Sequence, residues 1–312
     1  MDKARDKMTG EIVDAEQLWL ATSVDKSRYS CPGCGTQVLP AAYGPDCKVK
    51  PYFSARATPH QAGCPFASPP EAPDPTKTAH RTSPSAASTI IRQLSFPGRL
   101  RLREPLASRE PRPALPHGAP STEPRSVKQN ATRRPGAWTA STIRPLCQTF
   151  TSYPGARELP LSVPGINGAT YGEIFWQLKK NAVVKYRENH LFFAPINWAR
   201  PDDTQAALEI TLAAGDWAGA HRVRPYRVQV LWEEWTYAQR AAIRQEIANG
   251  RKSSIGAKER KERNKAWLFF LGCQDENDFS LFTVDDPSLV YCMVADIVYP
   301  PTLQKQPSGI SG

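Results

Sequence analysis

Proline constrains this chain more than any other residue. Of its 30 prolines, 15 fall between residues 65 and 145. Each one removes a backbone donor and fixes φ, so a segment this dense in proline cannot carry a long helix or a central strand. The same segment is rich in Ser, Ala and Arg, and its apolar content is too thin to offset the entropy of ordering it. Residues 67–145 therefore read as a disordered linker. Within it "ASTIIRQLSF", residues 87–96, has the spacing of a short amphipathic piece. The linker divides the chain into a cysteine-bearing module (1–66), the linker itself (67–145), an α+β domain (146–300) and a disordered tail (301–312).

The linker also holds the charge. The formal net charge of the chain is +10, and residues 81–145 contain eleven Arg and one Lys against three Glu, a net of +9. A positive balance of this size makes nucleic acid or another anionic surface a natural partner. A solvated disordered arm accounts for the same charge equally well. The preference for Arg over Lys favours phosphate, because a guanidinium fork matches phosphate oxygens. No apolar run approaches the ~18 residues of a membrane span. The first residues, "MDKARDKMTGEIVDAEQ", are polar and lack the apolar middle of a secretory signal, so the expected location is the cytoplasm. In a reducing compartment seven cysteines fit metal binding better than a disulfide framework.

The chemistry of the first module lies in "YSCPGCG", residues 29–35. Cys31 and Cys34 have the C-x2-C spacing that lets two thiolates share one metal from a tight turn, and His60 and Cys64 have H-x3-C spacing. Together they form a Cys₃His set, which suits a closed, structural Zn²⁺ site. The 25 residues between the halves, 35–59, suit a small hairpin, "TQVLPAAY" with "KVKPYF". Cys47, in the expected hairpin turn, competes with His60 for the fourth place. Two other readings stand beside zinc. A redox pair opens a helix after a strand, whereas Gly35 to Val38 looks like a turn into a strand. Free thiols would leave a module this small without a staple. No Glu follows a candidate His ligand, so a zinc hydrolase or deaminase is not indicated. Upstream, Ile12 and Val13 read as a strand pairing with "LWLATSV".

The order C-P-x-C-G, a hydrophobic strand, a basic residue before P-[HY]-F, then H-x3-C-P resembles the N-terminal zinc-binding module of competence CoiA-like proteins. The resemblance covers residues 29–66. It implies a bacterial protein that handles DNA, in a family that often carries a nuclease-like domain after the module. The family segment P-H-F-x-H here reads Pro51-Tyr52-Phe53-Ser54-Ala55, with both histidines missing, which leaves His60 as the substitute ligand.

In the larger domain, residues 158–163 and 206–212 read as strands. Residues 170–180 read as a helix with a Thr170/Glu173 capping box, and 182–196 as a hairpin. "YRVQVLW" is a further strand, and 236–250 is a helix ended by Asn249-Gly250. "WLFFLGC", "FSLFTV" and "CMVADIVY" supply three more strands. The whole is an α+β domain with a barrel-like or twisted antiparallel sheet and two helices. A restriction-type nuclease would need an acid on one strand and E-x-K on the next to hold Mg²⁺. Glu209 lacks the lysine, Glu259-Arg260-Lys261 lies in a charged helix or loop, and Asp285, Asp286 and Asp296 have no such neighbour. His190 and His221 read as surface residues.

The alternative is binding. Six of the eight tryptophans lie between Trp176 and Trp267, several beside cations. Bases stack on rings while phosphates meet cations, although any single tryptophan in a strand is more readily core. The candidate contacts are Trp198, Arg200, Arg251, Lys252, Lys258, Arg260, Lys261, Arg263 and Lys265. The expected function is non-catalytic nucleic-acid binding, to DNA first, around a structural zinc. A Mg²⁺-dependent nuclease and a protein–protein adaptor are the alternatives.

Overall fold

The computed structural model describes residues 1–66, 96–102 and 138–297, apart from Thr22, Pro45, Lys48, Arg56, Ala57, Gly63, Pro65, Asn181 and Ala220. Most of the amphipathic piece at 87–96 and the tail at 301–312 lie outside the described residues. Strands β1 (Lys3–Asp6), β2 (Ile12–Asp14), β3 (Tyr29–Ser30), β4 (Leu39–Ala41) and β5 (Tyr52–Ser54) build the first module. β6 (Pro97–Leu100), β7 (Trp138–Ala140), helix α1 (Arg144–Ser152), the single turn α2 (Tyr171–Ile174), β8 (Phe175–Gln177) and β9 (Leu191–Pro195) follow. Then come β10 (Asp202–Asp203), β11 (Ala207–Ala218), β12 (His221–Leu231), helix α3 (Tyr237–Glu259), β13 (Lys265–Phe270), β14 (Cys273–Gln274), β15 (Leu281–Val284) and β16 (Val290–Ala295).

The larger body is α+β with two open mixed sheets, ordered β16-β13-β9-β8 and β10-β11-β12-β15-β14. The four-stranded sheet is buried on both faces, and the paired aromatics explain how. Phe192 and Phe270 point into a core with Leu208, Ile210, Val228, Val230 and Phe282 of the second sheet and Ile243 and Ile247 of α3. Their chain neighbours Phe193 and Phe269 point the other way, onto Leu146 and Phe150 of α1 and Tyr171 of α2. Adjacent side chains of a strand face opposite sides, so a run such as Trp267 to Phe270 signals burial on both. Trp138, Trp232, Trp235 and Trp267 are all core. The barrel expectation is corrected: the sheets have free ends, and β8–β9 and β12–β15 pair in parallel.

Several local expectations change with context. Thr170 does cap α2, accepting from the Glu173 amide, but the helix stops after one turn. Phe175 then leaves helical geometry to pair with Leu191 and stack on Phe150 at 4.2 Å. Residues 182–190 form no hairpin arm. Their backbone groups are satisfied by side chains instead: Val183 N donates to Asp216, Val184 N to the Tyr226 hydroxyl and Tyr186 N to Gln274. Residues 158–163 make isolated bridges rather than a strand. Ile12 and Val13 pair with β1, and residues 15–20 are a 3-10 helix. Two pieces of the stretch read as linker are regular structure: β6 and β7 pair in parallel, and α1 begins at Arg144.

The second helix is longer than Asn249-Gly250 predicts. Thr236 and Gln239 form a full capping box, and α3 runs through Gly250 to Glu259. A Cβ at Gly250 would lie 3.0 Å from Cys292 Sγ and 3.2 Å from Ala266 Cβ. The glycine thus lets the helix lie close on β13 and β16 instead of ending it. Beyond the Arg260 cap, Lys261 turns left-handed (φ 58) and closes the helix. Glu262 N bonds to Ala257 O and Lys261 N to Lys258 O, a Schellman cap on a non-glycine residue.

The module docks on the body through buried charge. Arg144 Nε donates to Glu16 Oε1 at 2.9 Å, and its Nη2 donates to Glu246 Oε1 at 2.6 Å. Lys50 bridges the same two acids. Burial pushes the Glu16 carboxyl up, and the charges of Arg144 and Lys50 together pull it below its ordinary value. Nearby, Lys3 Nζ sits 4.8 Å over the Trp138 ring.

Asp14 behaves differently. Burial lifts it to about 7 against the pull of Lys3 and Arg144, and Glu16 adds to the rise. Its Oδ2 has no hydrogen-bond partner. The fold therefore favours the neutral acid. Between about pH 4 and 7 the unfolded chain loses this proton while the folded chain keeps it, so stability falls as pH rises. The penalty reaches on the order of 4 kcal/mol by neutral pH. Asp14→Asn should flatten the decline of stability between pH 5 and 7.5. Denaturant titrations of both proteins at matched pH check this, because metal effects cancel in the difference; equal slopes would refute it.

Candidate metal centre and cationic face

Cys31 follows β3 and is 1% exposed, at the edge of a small core of Ala4, Ala15, Leu18, Tyr29, Val38 and Phe53. The next residues turn back sharply. Gly35 N bonds to Cys31 O and Cys31 N to Thr36 O, and Gly35 takes φ 74, which its lack of a side chain makes cheap. The Gly33 amide points at Cys31 Sγ from 3.4 Å. This is the turn by which two cysteines face one centre. β4 and β5 then form the expected hairpin, and the chain returns with His60 and Cys64.

The four side chains converge. Cys31 Sγ lies 3.6 Å from Cys64 Sγ, and His60 Nδ1 lies 3.3 Å from Cys34 Sγ and 3.5 Å from Cys64 Sγ. All four ligand atoms are within 4.8 Å of one another. A tetrahedral Zn²⁺ with Zn–S near 2.3 Å and Zn–N near 2.05 Å requires S–S edges of about 3.8 Å and S–N edges of about 3.5 Å. The set fits a metal of that kind. Cys47 stands outside it. The thiols differ: burial pushes Cys31 up to about 11, while the Thr36 hydroxyl leads the influences that hold Cys34 down at about 5. A metal would make both of them thiolates. Among the described residues this is the one group of metal-type side chains that comes together.

The acids weighed for Mg²⁺ are dispersed. Glu209 on β11 accepts from Arg227 at 3.2 Å, Asp286 caps the turn at Ser288, and Glu259 is the last residue of α3. His190 is half-buried and stacked on Trp176 at 5.0 Å, not a free loop residue, and His221 opens β12 in solvent.

Of the basic candidates, Trp198, Arg251 and Lys258 touch. Arg251 Nη2 donates to the Trp198 carbonyl, and Lys258 Nζ lies 4.3 Å above the Trp198 ring. Trp198 is 42% exposed. Arg260 is bound to Glu262 by two hydrogen bonds. Arg200, Lys252, Lys261, Arg263 and Lys265 have no ion-pair partner among the described residues. The sequence reading missed Arg240 and Arg244. With Arg251 and Lys258 they form a stripe within about 40° on α3. Arg240 donates to Gln205 O, and Arg244 makes two bonds to Asp203, so the stripe pins down residues 198–205. The spacing was in the sequence, but it becomes one face only if the helix continues past Gly250.

No protein-family model matches the chain. Comparison with curated proteins and with solved structures finds no similar protein. Among the described residues no helix is long and apolar enough to cross a membrane.

Proposed function

We propose that this chain binds nucleic acid, DNA first, without catalysing a reaction on it, and that zinc held by Cys31, Cys34, His60 and Cys64 keeps the module folded. The observation that carries the reading is the exposed Trp198 ring, with Lys258 over it and Arg251 on its carbonyl, near in sequence to Arg200 and Lys252, which have no ion-pair partner among the described residues. An exposed ring beside cations is the arrangement that stacks a base while neutralising its phosphates. DNA in particular rests on the resemblance of residues 29–66 to the CoiA-like module. The dispersal of Glu209, Glu259, Asp285, Asp286 and Asp296 supports binding over Mg²⁺-dependent cleavage.

Titration of zinc-loaded protein with single- and double-stranded oligonucleotides at several salt concentrations tests this. Affinity should fall steeply with salt, and Lys252→Ala should reduce the slope of log K against log salt by about 1. Trp198→Ala should weaken single-strand binding by about 1–3 kcal/mol. Salt-insensitive binding would contradict the phosphate contacts. Absence of binding would favour an adaptor role. Mg²⁺-dependent cleavage abolished by Glu209→Ala or Glu259→Ala would replace the reading with a nuclease.

A further inference from the structure

Between residues 200–203 and α3 lies a cavity of about 290 Å³. Its lining is divided by chemistry. Leu208 and Ile247, each 2% exposed, give it an apolar floor. Arg200, Arg244 and Arg251 line its walls, with Asp203 as the one acid.

The three guanidinium groups are not equivalent. Arg244 makes a two-bond fork to Asp203 at 2.7 and 2.8 Å and lies 4.4 Å over the Trp232 ring. Its charge is matched and its position fixed. Arg251 is held by the Trp198 carbonyl, a neutral acceptor, so its charge is not compensated. Arg200 has no ion-pair partner among the described residues. The cavity thus carries an excess of two positive charges above an apolar floor. A ligand that satisfies both is an anion with a flat or apolar body. The volume lies at the small end of the range for small-molecule sites, roughly 300–1,000 Å³. That is enough for one nucleotide unit and too little for a base pair. Trp198 does not line the cavity, but its carbonyl accepts from Arg251, which does.

We infer that this cavity receives one nucleotide of a single-stranded nucleic acid. The phosphate lies against Arg200 and Arg251, and the rest of the unit lies over Leu208 and Ile247. The inference rests on the nucleic-acid reading above and narrows it: the strand is single, and one of its units is taken out of line into the protein. Arg244 and Asp203 shape the cavity without contributing net charge. Because Arg244 and Arg251 are already bonded in place, little ordering cost remains to be met on binding.

The test uses the full-length zinc-loaded protein with thymidine 5′-monophosphate, inorganic phosphate, a twenty-residue oligothymidylate and a duplex of equal length. Two variants are compared with wild type. Arg200→Gln removes an exposed, unpaired charge. Ala248→Phe fills the cavity from the solvent side of α3 without changing charge. Circular dichroism and thermal melting confirm that each keeps its fold. The expected result is that thymidine monophosphate binds more tightly than inorganic phosphate. Each variant should weaken both the mononucleotide and the single strand at least tenfold, and the single strand should be preferred to the duplex in wild type. If the oligonucleotide binds wild type and Ala248→Phe equally well, the cavity is not the site, although the nucleic-acid reading stands. Equal affinity for phosphate and mononucleotide would likewise overturn the nucleotide site. If no oligonucleotide binds wild type, both readings fall together.

Discussion

Removing the metal should melt residues 29–64 and leave the larger body folded. Among the described residues the buried apolar core of the first module is seven side chains, from Ala4 to Phe53, and one of them is the candidate ligand Cys31. A core of that size cannot offset the entropy of ordering the turn and hairpin around it. A zinc ion held by the four side chains would change the balance, since structural sites contribute on the order of 10–16 kcal/mol at neutral pH. The body depends on none of this, because its two cores lie on either side of the β16-β13-β9-β8 sheet. Chelation, or Cys64→Ser, should therefore abolish hydrogen-exchange protection at the amides of Cys31, Gly35 and Val38, which are bonded across the turn. Protection in β9 and β13 should persist. A module that keeps its protection in excess chelator would show that metal is not what holds it.

Arg144→Ala should be among the most destabilising single changes outside the metal set. Arg144 is mostly buried, donates to Glu16 and Glu246, and lies 4.1 Å from the Tyr291 ring. Removing it leaves Lys50 as the one base, among the described residues, paired with the two acids. Breaking a buried ion pair from one side costs about 3–5 kcal/mol, because the stranded charge stays buried. Both module and body should lose stability, since Glu16 belongs to one and Glu246 to the other. Glu16→Gln in the same chain should recover part of the loss by removing the stranded charge. Denaturant titrations of the two single variants and the double variant measure the coupling. Additive losses would mean that Arg144 and Glu16 do not act as a pair.

What was legible in the sequence was what is local in the fold. Cys31 and Cys34 converge because a four-residue turn brings them together, and His60 and Cys64 because only three residues separate them. The hairpin between the pairs followed from the same short-range logic. The Phe192–Phe193 and Phe269–Phe270 runs announced buried strands in the same way. The misread elements are those whose state is set by distant partners. Phe175 becomes a strand because Leu191 pairs with it, and residues 182–190 lose their ladder to Asp216, Tyr226 and Gln274. Gly250 sits inside a helix rather than ending it, because the helix packs there on Ala266 and Cys292, where a Cβ would be tight. The Glu16–Lys50–Arg144–Glu246 cluster joins residues up to 230 positions apart, and no spacing rule reaches that far. The proline-dense stretch is not uniform, because β6, β7 and the start of α1 borrow their order from the body they pack on.

X-ray absorption at the zinc edge of the purified full-length protein tests the central assignment most directly. One zinc per chain, with three sulfur neighbours near 2.3 Å and one nitrogen near 2.0–2.1 Å, is the predicted result. His60→Ala should then lose the nitrogen shell. Four sulfurs would put Cys47 in the place of His60, and a protein that carries no stoichiometric metal would contradict the centre altogether.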